Sequence, residues 1–388
     1  MKKSAEVVII GGGINGCSIA YNLAKAKVKG VVLEKNYIAS GASGRCGAMI
    51  WAQWYEGSSE VLAKVGNMTL NRYANLVEEL DADIEYTLES SIMFVEEGEE
   101  EEFEEDMLEL EKYFNVRPEF LKPEEIKKIA PYIGVDNLET VGGYLQTGHI
   151  SNASANPFLT IHALVNNARR LGAEFYTNTE VKGIIVKNGK VEGVRTSQGD
   201  IKTNIVVNAS GAWSADVARM AGIKIPTKPF GEEAVVTEPL MPIPYFPLAL
   251  ENYGRQTKSG QILIGEEPLP EQEPGYSTEI TLDFLPRISE MLLDLFPTFG
   301  HINILRQWAG VEDVTPDQLP ILGRVDEVEG LILACGSQSF GFCLSQAVGE
   351  IVADIIMKKD RHKDIAEALS LSRFEKKYRE FSGRWYND

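Results

Sequence analysis

The hydrophobic pattern of the first 34 residues predicts a complete β-α-β unit. The apolar run at residues 7–10 is typical of a short buried strand. Apolar residues recur at helical spacing over residues 19–24, and a second apolar run at residues 31–33 ends at the acidic residue Glu34. Strand, helix and strand therefore follow one another within the length that a nucleotide-binding unit needs.

Three glycines stand between the first strand and the helix in the spacing G-x-G-x-x-G. Gly11 permits a tight turn, Gly13 lets the backbone approach a pyrophosphate, and Gly16 lets the helix pack closely on the strand. The helix N-terminus favours an anion through its free N–H groups. Glu34 is placed to accept hydrogen bonds from a ribose and to repel a 2′-phosphate. The unit predicts dinucleotide binding and disfavours NADP.

Further strand-to-glycine transitions recur along the chain. A glycine-rich loop at 35–49 follows the acidic strand end, an apolar strand in 205–213 runs into an A-x-G turn, and the apolar strand 331–334 precedes another glycine turn and helix. Glycine at such points suits close approach of backbone to ligand. No second G-x-G-x-x-G occurs. This arrangement favours FAD, which is long enough to span a domain, over a pair of dinucleotides.

The remaining pattern alternates helical and strand segments. A helix is predicted at 156–171, followed by a strand at 174–176. The strand-like runs VKGIIVK and KVEGVRT are separated by Asn188-Gly189, a strong hairpin signal. Strands are predicted near 232–238, 245–253 and 261–265 in a proline-rich region that is typical of sheet edges and turns.

Composition narrows the class of protein. The chain has 388 residues, 44% hydrophobic and 24% charged, which excludes a disordered or collagen-like protein. A net charge of −19 disfavours nucleic acid as a partner. The four cysteines show no C-x-x-C, so we expect neither a metal site nor disulfides. No apolar run approaches the roughly 18 residues of a membrane span, and we expect a cytoplasmic protein.

Much of the negative charge lies in one segment. Residues 96–111 contain eleven acidic residues and no Lys or Arg. Phe103, Met107, Leu110 and Phe114 recur at helical spacing, which predicts a peripheral helix with a solvated acidic face. A docking surface for a basic partner is the alternative interpretation.

Four motifs carry a family resemblance that extends from about residue 6 to Phe374. They are SGASGRCG (40–47), VVNASGAW (206–213), RQWAGVEDVTPDQLPILG (306–323) and GSQSFGFCLSQAVGE (336–350). With the opening glycine motif, they resemble the D-amino-acid-oxidase-like flavoproteins: sarcosine oxidase, glycine oxidase, and the β subunits of heteromeric sarcosine oxidase and dye-linked proline dehydrogenase. W-A-G followed by T-P-D and P-I-L-G is the most specific part, and GRCG is closest to the β-subunit branch.

The resemblance implies an α/β fold with two interleaved domains. A Rossmann-like FAD-binding domain is expected from 1–80, 148–222 and 306–388. An α+β substrate domain built on an antiparallel sheet is expected from 81–147 and 223–305. The αβ patterning of the first set of segments agrees with this division.

The resemblance also implies non-covalent FAD. Monomeric sarcosine oxidases attach FAD to a cysteine shortly after the W-A-G-like segment, where this chain has Val311, Glu312 and Asp313. The residues expected at the cofactor are Gly11, Gly13, Ile14, Asn15, Gly16, Glu34, Lys35, Ala42, Ser43, Arg45, Cys46, Gly47, Ala48, Val181, Gly211, Gly336, Ser339, Gly341 and Phe342.

The activity implied is that of an FAD-dependent oxidase or dehydrogenase acting on CH–NH or CH–NH2. The substrate would be a secondary or N-substituted amino acid of the sarcosine, proline, hydroxyproline, glycine or opine type, giving an imine that hydrolyses after hydride transfer to flavin N5. The alternatives are a 2-hydroxy-acid or glycerol-phosphate dehydrogenase, and a flavin-carrying β subunit that is active only with an electron-accepting partner subunit. An alcohol usually needs a base such as histidine. With only His149 and His301 as candidates, an amine is favoured.

The chain departs from relatives at positions that hold the substrate carboxylate. Phe340 and Cys343 stand where relatives often carry His and Lys, Trp51 where some carry Arg, and Glu312 where glycine oxidases carry Arg. Arg255 and Arg306 are then the candidates for the carboxylate, or members of structural ion pairs, whereas Arg45 is expected to serve the flavin region. One hypothesis for Glu312 is that it binds a substrate ammonium or a cationic side chain. Cys46 and Cys343 are interpreted as small buried residues near the flavin.

Overall fold

The protein is described from a computed structural model that covers residues 1–51, 60–114, 117–147, 152–248, 252–266 and 272–374. Within these ranges the strands, in chain order, are β1 (Val7–Ile10), β2 (Gly30–Leu33), β3 (Met49–Trp51), β4 (Thr87–Glu89), β5 (Ser91–Glu96), β6 (Glu119–Leu121), β7 (Thr140–Gln146), β8 (Asn152–Ser154), β9 (Glu174–Tyr176), β10 (Val181–Lys187), β11 (Lys190–Thr196), β12 (Ile201–Lys202), β13 (Val206–Asn208), β14 (Lys228–Pro239), β15 (Phe246–Leu248), β16 (Asn252–Gln256), β17 (Gln261–Glu266), β18 (Ile304–Val314), β19 (Ile321–Arg324) and β20 (Leu331–Cys335).

The α-helices of the same ranges are α1 (Ile14–Lys25), α2 (Glu60–Leu80), α3 (Glu100–Phe114), α4 (Pro123–Ile129), α5 (Pro157–Arg170), α6 (Ser214–Arg219), α7 (Phe284–Leu295), α8 (Gly341–Met357) and α9 (Lys363–Ala368). The predicted β-α-β unit is present as β1, α1 and β2, and the predicted helix at 156–171 is α5. Short 3₁₀ turns at Ala42–Gly44, Gly211–Trp213 and Gln338–Phe340 follow the predicted glycine-rich segments.

A six-stranded sheet in the order β19-β20-β13-β1-β2-β9 forms the centre of the fold. Its strands are parallel except for β19, which runs antiparallel to β20. Val7 and Ile9 pack with α1, α5 and α8 on one face, while Val8 and Ile10 pack with β10, β11 and α6 on the other. Burial on both faces explains why β1 is uniformly apolar and does not alternate.

The Asn188-Gly189 hairpin is confirmed. β10 and β11 pair antiparallel on either side of this dipeptide. Asn188 and Gly189 have φ values of 49° and 71°. Two consecutive positive φ angles are what a type I′ turn requires, and Asn-Gly is its preferred sequence.

Two four-stranded sheets lie outside the central sheet. One has the order β16-β17-β14-β18 and is antiparallel throughout; we call it the β14 sheet. The other has the order β15-β5-β7-β6. The single strand predicted near 245–253 is wrong, because its first part, β15, pairs parallel with β5 in the second sheet and only its last part joins the β14 sheet. Pro247 lacks an N–H and therefore suits the edge position that β15 occupies.

The division into two domains stays a prediction. Strand β18 begins at Ile304 and pairs along its length with β14. The expected boundary at residue 306 therefore falls inside a strand of the β14 sheet, and the same strand carries the WAGVED segment towards the central sheet.

Helix α8 lies in the core. Residues 338–357 are long and apolar enough, by length and composition, to span a membrane, which differs from the expectation that no such run exists. However, 78% of that window is buried inside the protein, where α8 packs on α1 and α2. Burial in the core accounts for its hydrophobicity.

The acidic segment forms α3, as predicted, but it is not wholly peripheral. Phe103 and Met107 are buried at 4% and 0% exposure, whereas Glu101 and Glu105 are exposed. The predictions for the side chains of Leu110 and Phe114 lie outside the described residues. Glu96 and Glu99, which precede the helix, line the large cavity described below.

Candidate active site

The glycine turn after β1 has the geometry that the motif predicts. Gly11 has a φ of +114°, and a Cβ there would lie 2.3 Å from the Ala209 carbonyl oxygen. A Cβ on Gly16 would lie 2.0 Å from the Gly11 oxygen, so this glycine lets α1 meet the turn. A Cβ on Gly13 would meet only the Ser43 side chain within 4 Å. The backbone at Gly13 is therefore open towards the neighbouring space, as a pyrophosphate site requires.

Glu34 lies at the end of β2 beside this turn. Its carboxylate accepts hydrogen bonds from the backbone N–H of Gly12 and of Asn36, both at 2.8 Å. The side chain is 8% exposed. These bonds orient the carboxylate, whose remaining lone pairs are available to a ribose hydroxyl.

A cavity of about 730 Å³ extends from the glycine turn to the β14 sheet. It brings together most of the residues expected at the cofactor: Gly11, Gly13, Ile14, Asn15, Glu34, Lys35, Ala42, Ser43, Arg45, Cys46, Gly47, Ala48, Val181, Gly211, Ser339, Gly341 and Phe342. Gly16 and Gly336 do not line it. Gly16 lies beneath the glycine turn, against the Gly11 carbonyl. Gly336 lies in the bend after β20, where its φ is +66°.

The loop that carries Arg45 is bound to β18. Arg45 donates from Nη1 to the Ala309 carbonyl at 2.8 Å, and the Trp308 indole donates to the Arg45 carbonyl at 2.7 Å. A Cβ on Gly310 would lie 3.4 Å from Arg45 Cβ. The W-A-G segment thus holds one wall of the cavity through the Trp308 indole and the Ala309 carbonyl, and Gly310 leaves room for the Arg45 side chain.

Asp313 fixes the bend after β20. Its carboxylate accepts a hydrogen bond from the Gly336 N–H, and the side chain is 5% exposed. Burial raises the pKa of this carboxyl from 3.8 to about 6, against the opposing effect of the backbone donors of Gly336 and Ser337. The preceding residue, Glu312, is 8% exposed, lines the cavity and accepts from the Ser339 hydroxyl at 2.8 Å.

Neither arginine expected to bind a carboxylate lies among the cavity-lining residues. Arg306 is exposed near the start of β18, with its guanidinium 5.9 Å from the Trp308 ring centroid. Arg255 is 7% exposed and uses its donors on the protein: Nε donates to the Gly47 carbonyl at 2.6 Å and Nη1 to the Ser154 hydroxyl at 3.3 Å. Arg255 therefore ties β16 to the cofactor loop instead of presenting its charge to a ligand.

Glu232 and Tyr253 are site residues that the sequence analysis missed. Glu232 lies opposite Gly310 across β14 and β18, and Tyr253 lies opposite Gly265 across β16 and β17. A Cβ on Gly265 would lie 2.2 Å from the Tyr253 hydroxyl, so the glycine makes room for the phenol. Burial and the nearby Glu232 raise the pKa of Tyr253 well above 10.

Alternation places these side chains on the face that carries Glu312. Phe230 lies opposite Glu312 across β14 and β18, two residues before Glu232. The signal that could have found them is the period-2 alternation of three neighbouring strands, but it requires their register to be known.

The two cysteines of the cavity have the space-filling character expected of them. The Cys343 thiol donates to the Trp51 carbonyl at 2.9 Å, and Cys46 contacts the Ser43 carbonyl at 3.4 Å. Burial raises the pKa of Cys343 to about 12 and that of Cys46 to about 11. Both thiols are therefore protonated at neutral pH and are weak nucleophiles.

The histidine candidates do not enter the described cavity wall. His301 is exposed in the turn before β18, and His162 is exposed on α5. His149 lies outside the described residues. The part of the cavity wall that the structure describes contains no histidine.

A carboxylate–histidine group lies apart from the cavity. Glu350, Asp354 and His362 bring ligand-type atoms within 4.8 Å of one another near the end of α8. Arg361 pairs with Glu350 at 2.7 Å and with Asp354 at 2.8 Å, and Arg72 also pairs with Glu350. Two arginines already neutralise these carboxylates, so the arrangement is an ion-pair network. The expectation of no metal stays a prediction.

Comparison with known proteins identifies the class to which this fold and site belong. The chain matches the FAD-dependent oxidoreductase (DAO) family over residues 6–355. It therefore belongs to the FAD-dependent oxidoreductases of the DAO family, and it is an FAD enzyme that acts on amino acids.

Individual relatives lie in the expected branch. The chain is 28% identical to sarcosine oxidase subunit beta of Arthrobacter sp, covering 96% of this chain and 92% of the relative. It is 27% identical to glycine oxidase of Bacillus subtilis, covering 97% and 99%. The crystal structure of L-proline dehydrogenase from P. horikoshii superposes with a TM-score of 0.88 at 32% identity, covering 97% and 99%.

The residues of the cavity fit FAD independently of the likeness to known proteins. The glycine turn leaves the backbone at Gly13 open, and the N-terminus of α1 opens onto the cavity with no acidic residue in its first turn. Asn15 Oδ1 is buried without a hydrogen-bond partner in the described protein. Gly11 to Asn15, Glu34 and the 42–48 loop would hold the dinucleotide; the β14 sheet bounds the space beyond it.

Proposed function

We propose that the protein oxidises a secondary or N-substituted amino acid at its CH–NH bond, with an imine as the product. The observation that carries the proposal is the wall opposite the glycine turn. There the β14 sheet presents Glu232, Tyr253 and Glu312 to the cavity, with carboxylates where an amine would bind. FAD, when bound, supplies the acceptor for the two electrons.

The three side chains have distinct roles in this proposal. Glu232 and Glu312 attract the substrate nitrogen as an ammonium and provide oxygens for the proton that it loses before oxidation. Tyr253 stays protonated because its pKa lies well above 10, so it acts as a hydrogen-bond donor and not as a base. The small volume beside Gly47, where Tyr253 lies 3.4 Å from the Cβ position, restricts how the substrate is oriented.

The absence of histidine from the described cavity wall supports an amine over an alcohol. Oxidation of a 2-hydroxy acid or of glycerol phosphate needs a group that takes the hydroxyl proton, and histidine usually serves. The likeness to L-proline dehydrogenase from P. horikoshii, at 32% identity, supports a secondary amino acid as the substrate class.

The test is an anaerobic screen of flavin reduction. Sarcosine, L-proline, hydroxyproline, glycine and an opine are compared with lactate and glycerol 3-phosphate, and bleaching of the flavin absorbance is followed. We expect at least one amine to bleach the flavin and neither alcohol to do so. Bleaching by an alcohol alone would refute the proposal. Glu232→Gln, which keeps the shape of the side chain, is expected to slow reduction by the active amine.

We also propose that a partner subunit receives the electrons. Two relatives that span most of the chain are beta subunits of sarcosine oxidase, which supports this second proposal. Purification from the native host distinguishes the cases: a partner that co-purifies and raises dye reduction supports it, and full oxygen-dependent turnover by the single chain contradicts it. The cytoplasmic location stays a prediction.

A further inference from the structure

The wall of the cavity contains polar atoms that the described protein does not satisfy. We call the part of the wall formed by Trp51, Met93, Glu96, Glu99, Phe103 and Asn252 the far end. Asn252 is 6% exposed, and neither its Oδ1 nor its Nδ2 has a hydrogen-bond partner in the described protein. Leaving a buried polar group unpaired costs about 1–3 kcal/mol. A ligand that donates to the Asn252 Oδ1 recovers part of that cost.

A second unpartnered atom lies at the same end. Glu99 Oε2 is buried at the atom level and has no hydrogen-bond partner, although the residue as a whole is partly exposed. Both residues line the same cavity. Met93 on β5 lies opposite Leu248 on β15, and Asn252 begins the next strand four residues later. Glu99 follows β5 by three residues.

The charged side chains of the far end are all acidic. Glu96 and Glu99 are acidic, and Lys35 and Arg45 are the cations among the described lining residues. Lys35 is 3.3 Å from the Trp213 ring centroid, and Arg45 is bonded to the Ala309 carbonyl. Both cations therefore already have contacts of their own. The unpaired acceptors of the far end are a carboxylate oxygen and an amide oxygen.

The apolar lining specifies the shape of the group that enters. Met93 and Phe103 are 3% and 4% exposed, belong to one hydrophobic cluster and flank the acidic residues. Such a wall suits a methylene stem, and the unpaired oxygens suit a positively charged head.

We infer that the far end is a specificity subsite for a cationic side chain. It takes the terminal ammonium or guanidinium of an N-substituted basic amino acid, which donates to Glu99 and to the Asn252 amide oxygen while its methylenes pack on Met93 and Phe103. This inference rests on the proposed function for the other end of the substrate. It makes Glu99 and Asn252 specificity residues and leaves the chemistry to the β14 sheet.

The experiment compares two probes that differ at the relevant group. Nα-methyl-L-lysine and Nα-methyl-L-norleucine share the four-carbon stem, and only the first carries the terminal ammonium. Binding to the FAD-loaded protein is measured anaerobically by stopped flow, from the change in tryptophan fluorescence and in the flavin spectrum that precedes any bleaching of the flavin. We expect the lysine probe to bind at least about 10-fold more tightly, which corresponds to about 1.4 kcal/mol.

Variants assign the preference to the subsite. Glu99→Gln and Asn252→Leu are each expected to reduce the ratio of the two affinities several-fold and to leave binding of the norleucine probe nearly unchanged. Glu105→Gln, an exposed position on α3, is the matched control and should keep the ratio. Because Glu99 is partly exposed, its variant tests the inference even if Asn252→Leu does not fold.

The outcomes separate this inference from the proposed function. Equal affinities of the two probes, no binding of the lysine probe, or a ratio that is unchanged in Glu99→Gln would each overturn the subsite. Flavin reduction by proline or sarcosine would still stand in those cases. Tight binding of the lysine probe together with a flavin that no amine reduces would instead overturn the proposed function.

Discussion

Arg255 offers the sharpest test of how the cofactor loop is held. Its guanidinium binds the Gly47 carbonyl at 2.6 Å, the Ser154 hydroxyl at 3.3 Å and the Ala155 carbonyl at 3.5 Å. Glu89, which accepts from the same Ser154 hydroxyl, is the carboxylate whose charge acts most strongly on Arg255. Arg255→Met keeps much of the buried stem but removes the charge and all three bonds.

The magnitude follows from those contacts. Hydrogen bonds from charged groups contribute about 1.5–3 kcal/mol each. The two shorter bonds therefore predict a loss of at least about 3 kcal/mol in the free energy of unfolding. Because Gly47 lines the cavity, FAD affinity should fall as well. Urea unfolding of the apo-protein and flavin fluorescence during FAD titration measure the two effects.

The loss of unfolding free energy in Arg255→Met should also depend on pH. Burial raises the pKa of the Glu89 carboxyl above 4.5, and Arg255 opposes that rise. A carboxyl with a raised folded pKa destabilises the fold increasingly as pH rises through the unfolded pKa towards the folded one. Without Arg255 the folded pKa rises further, so the variant should lose more stability at pH 8 than at pH 5.

The control is Lys258→Met, in the turn between β16 and β17. Lys258 pairs with Asp83 at 3.3 Å, and both side chains are exposed. Such a surface pair contributes less than about 1 kcal/mol. If Arg255→Met costs no more than Lys258→Met and leaves FAD affinity intact, Arg255 does not hold the loop.

Further predictions concern the cofactor and the buried acids. Gly11→Ala should purify without flavin, since its Cβ would lie 2.3 Å from the Ala209 oxygen; a yellow variant protein would contradict the turn geometry. Denaturation followed by ultrafiltration should release all flavin into the filtrate, and colour retained on the polypeptide would contradict non-covalent FAD. The stability of the wild type relative to Asp313→Asn should fall by about 3 kcal/mol as pH rises from below 3.8 to well above 6, because the folded pKa is raised from 3.8 to about 6; a flat difference in urea unfolding would refute this. Glu312→Gln should weaken the apparent affinity for a cationic substrate, and unchanged half-saturation in anaerobic flavin reduction would argue against its role.

Local features of the fold could be predicted from the sequence. The β1-α1-β2 unit and the Asn188-Gly189 hairpin depend on residues that are close together in the chain. Their periodicity and turn chemistry are therefore readable without tertiary information.

Features that depend on distant partners could not be predicted. Arg255 was a candidate for a ligand carboxylate or for a structural ion pair, and nothing in its neighbourhood in the chain reveals that its partner, Gly47, lies 208 positions away. Glu232 and Tyr253 were missed because their common face depends on the register of three strands. The strand predicted at 245–253 was wrong because the pattern does not show that its two parts join different sheets.

The order of strands in the central sheet has a consequence for biosynthesis. β1, which carries the glycine turn, lies between β2 and β13, and β13 in turn pairs with β20 near the other end of the described chain. The walls of the nucleotide site include Ala209, whose N–H binds the Ile10 carbonyl, and Ser337, whose hydroxyl accepts from Asn15. A ribosome must therefore translate more than 300 further residues after the glycine motif before FAD meets a complete site, so flavin loading is a late event in the maturation of this enzyme.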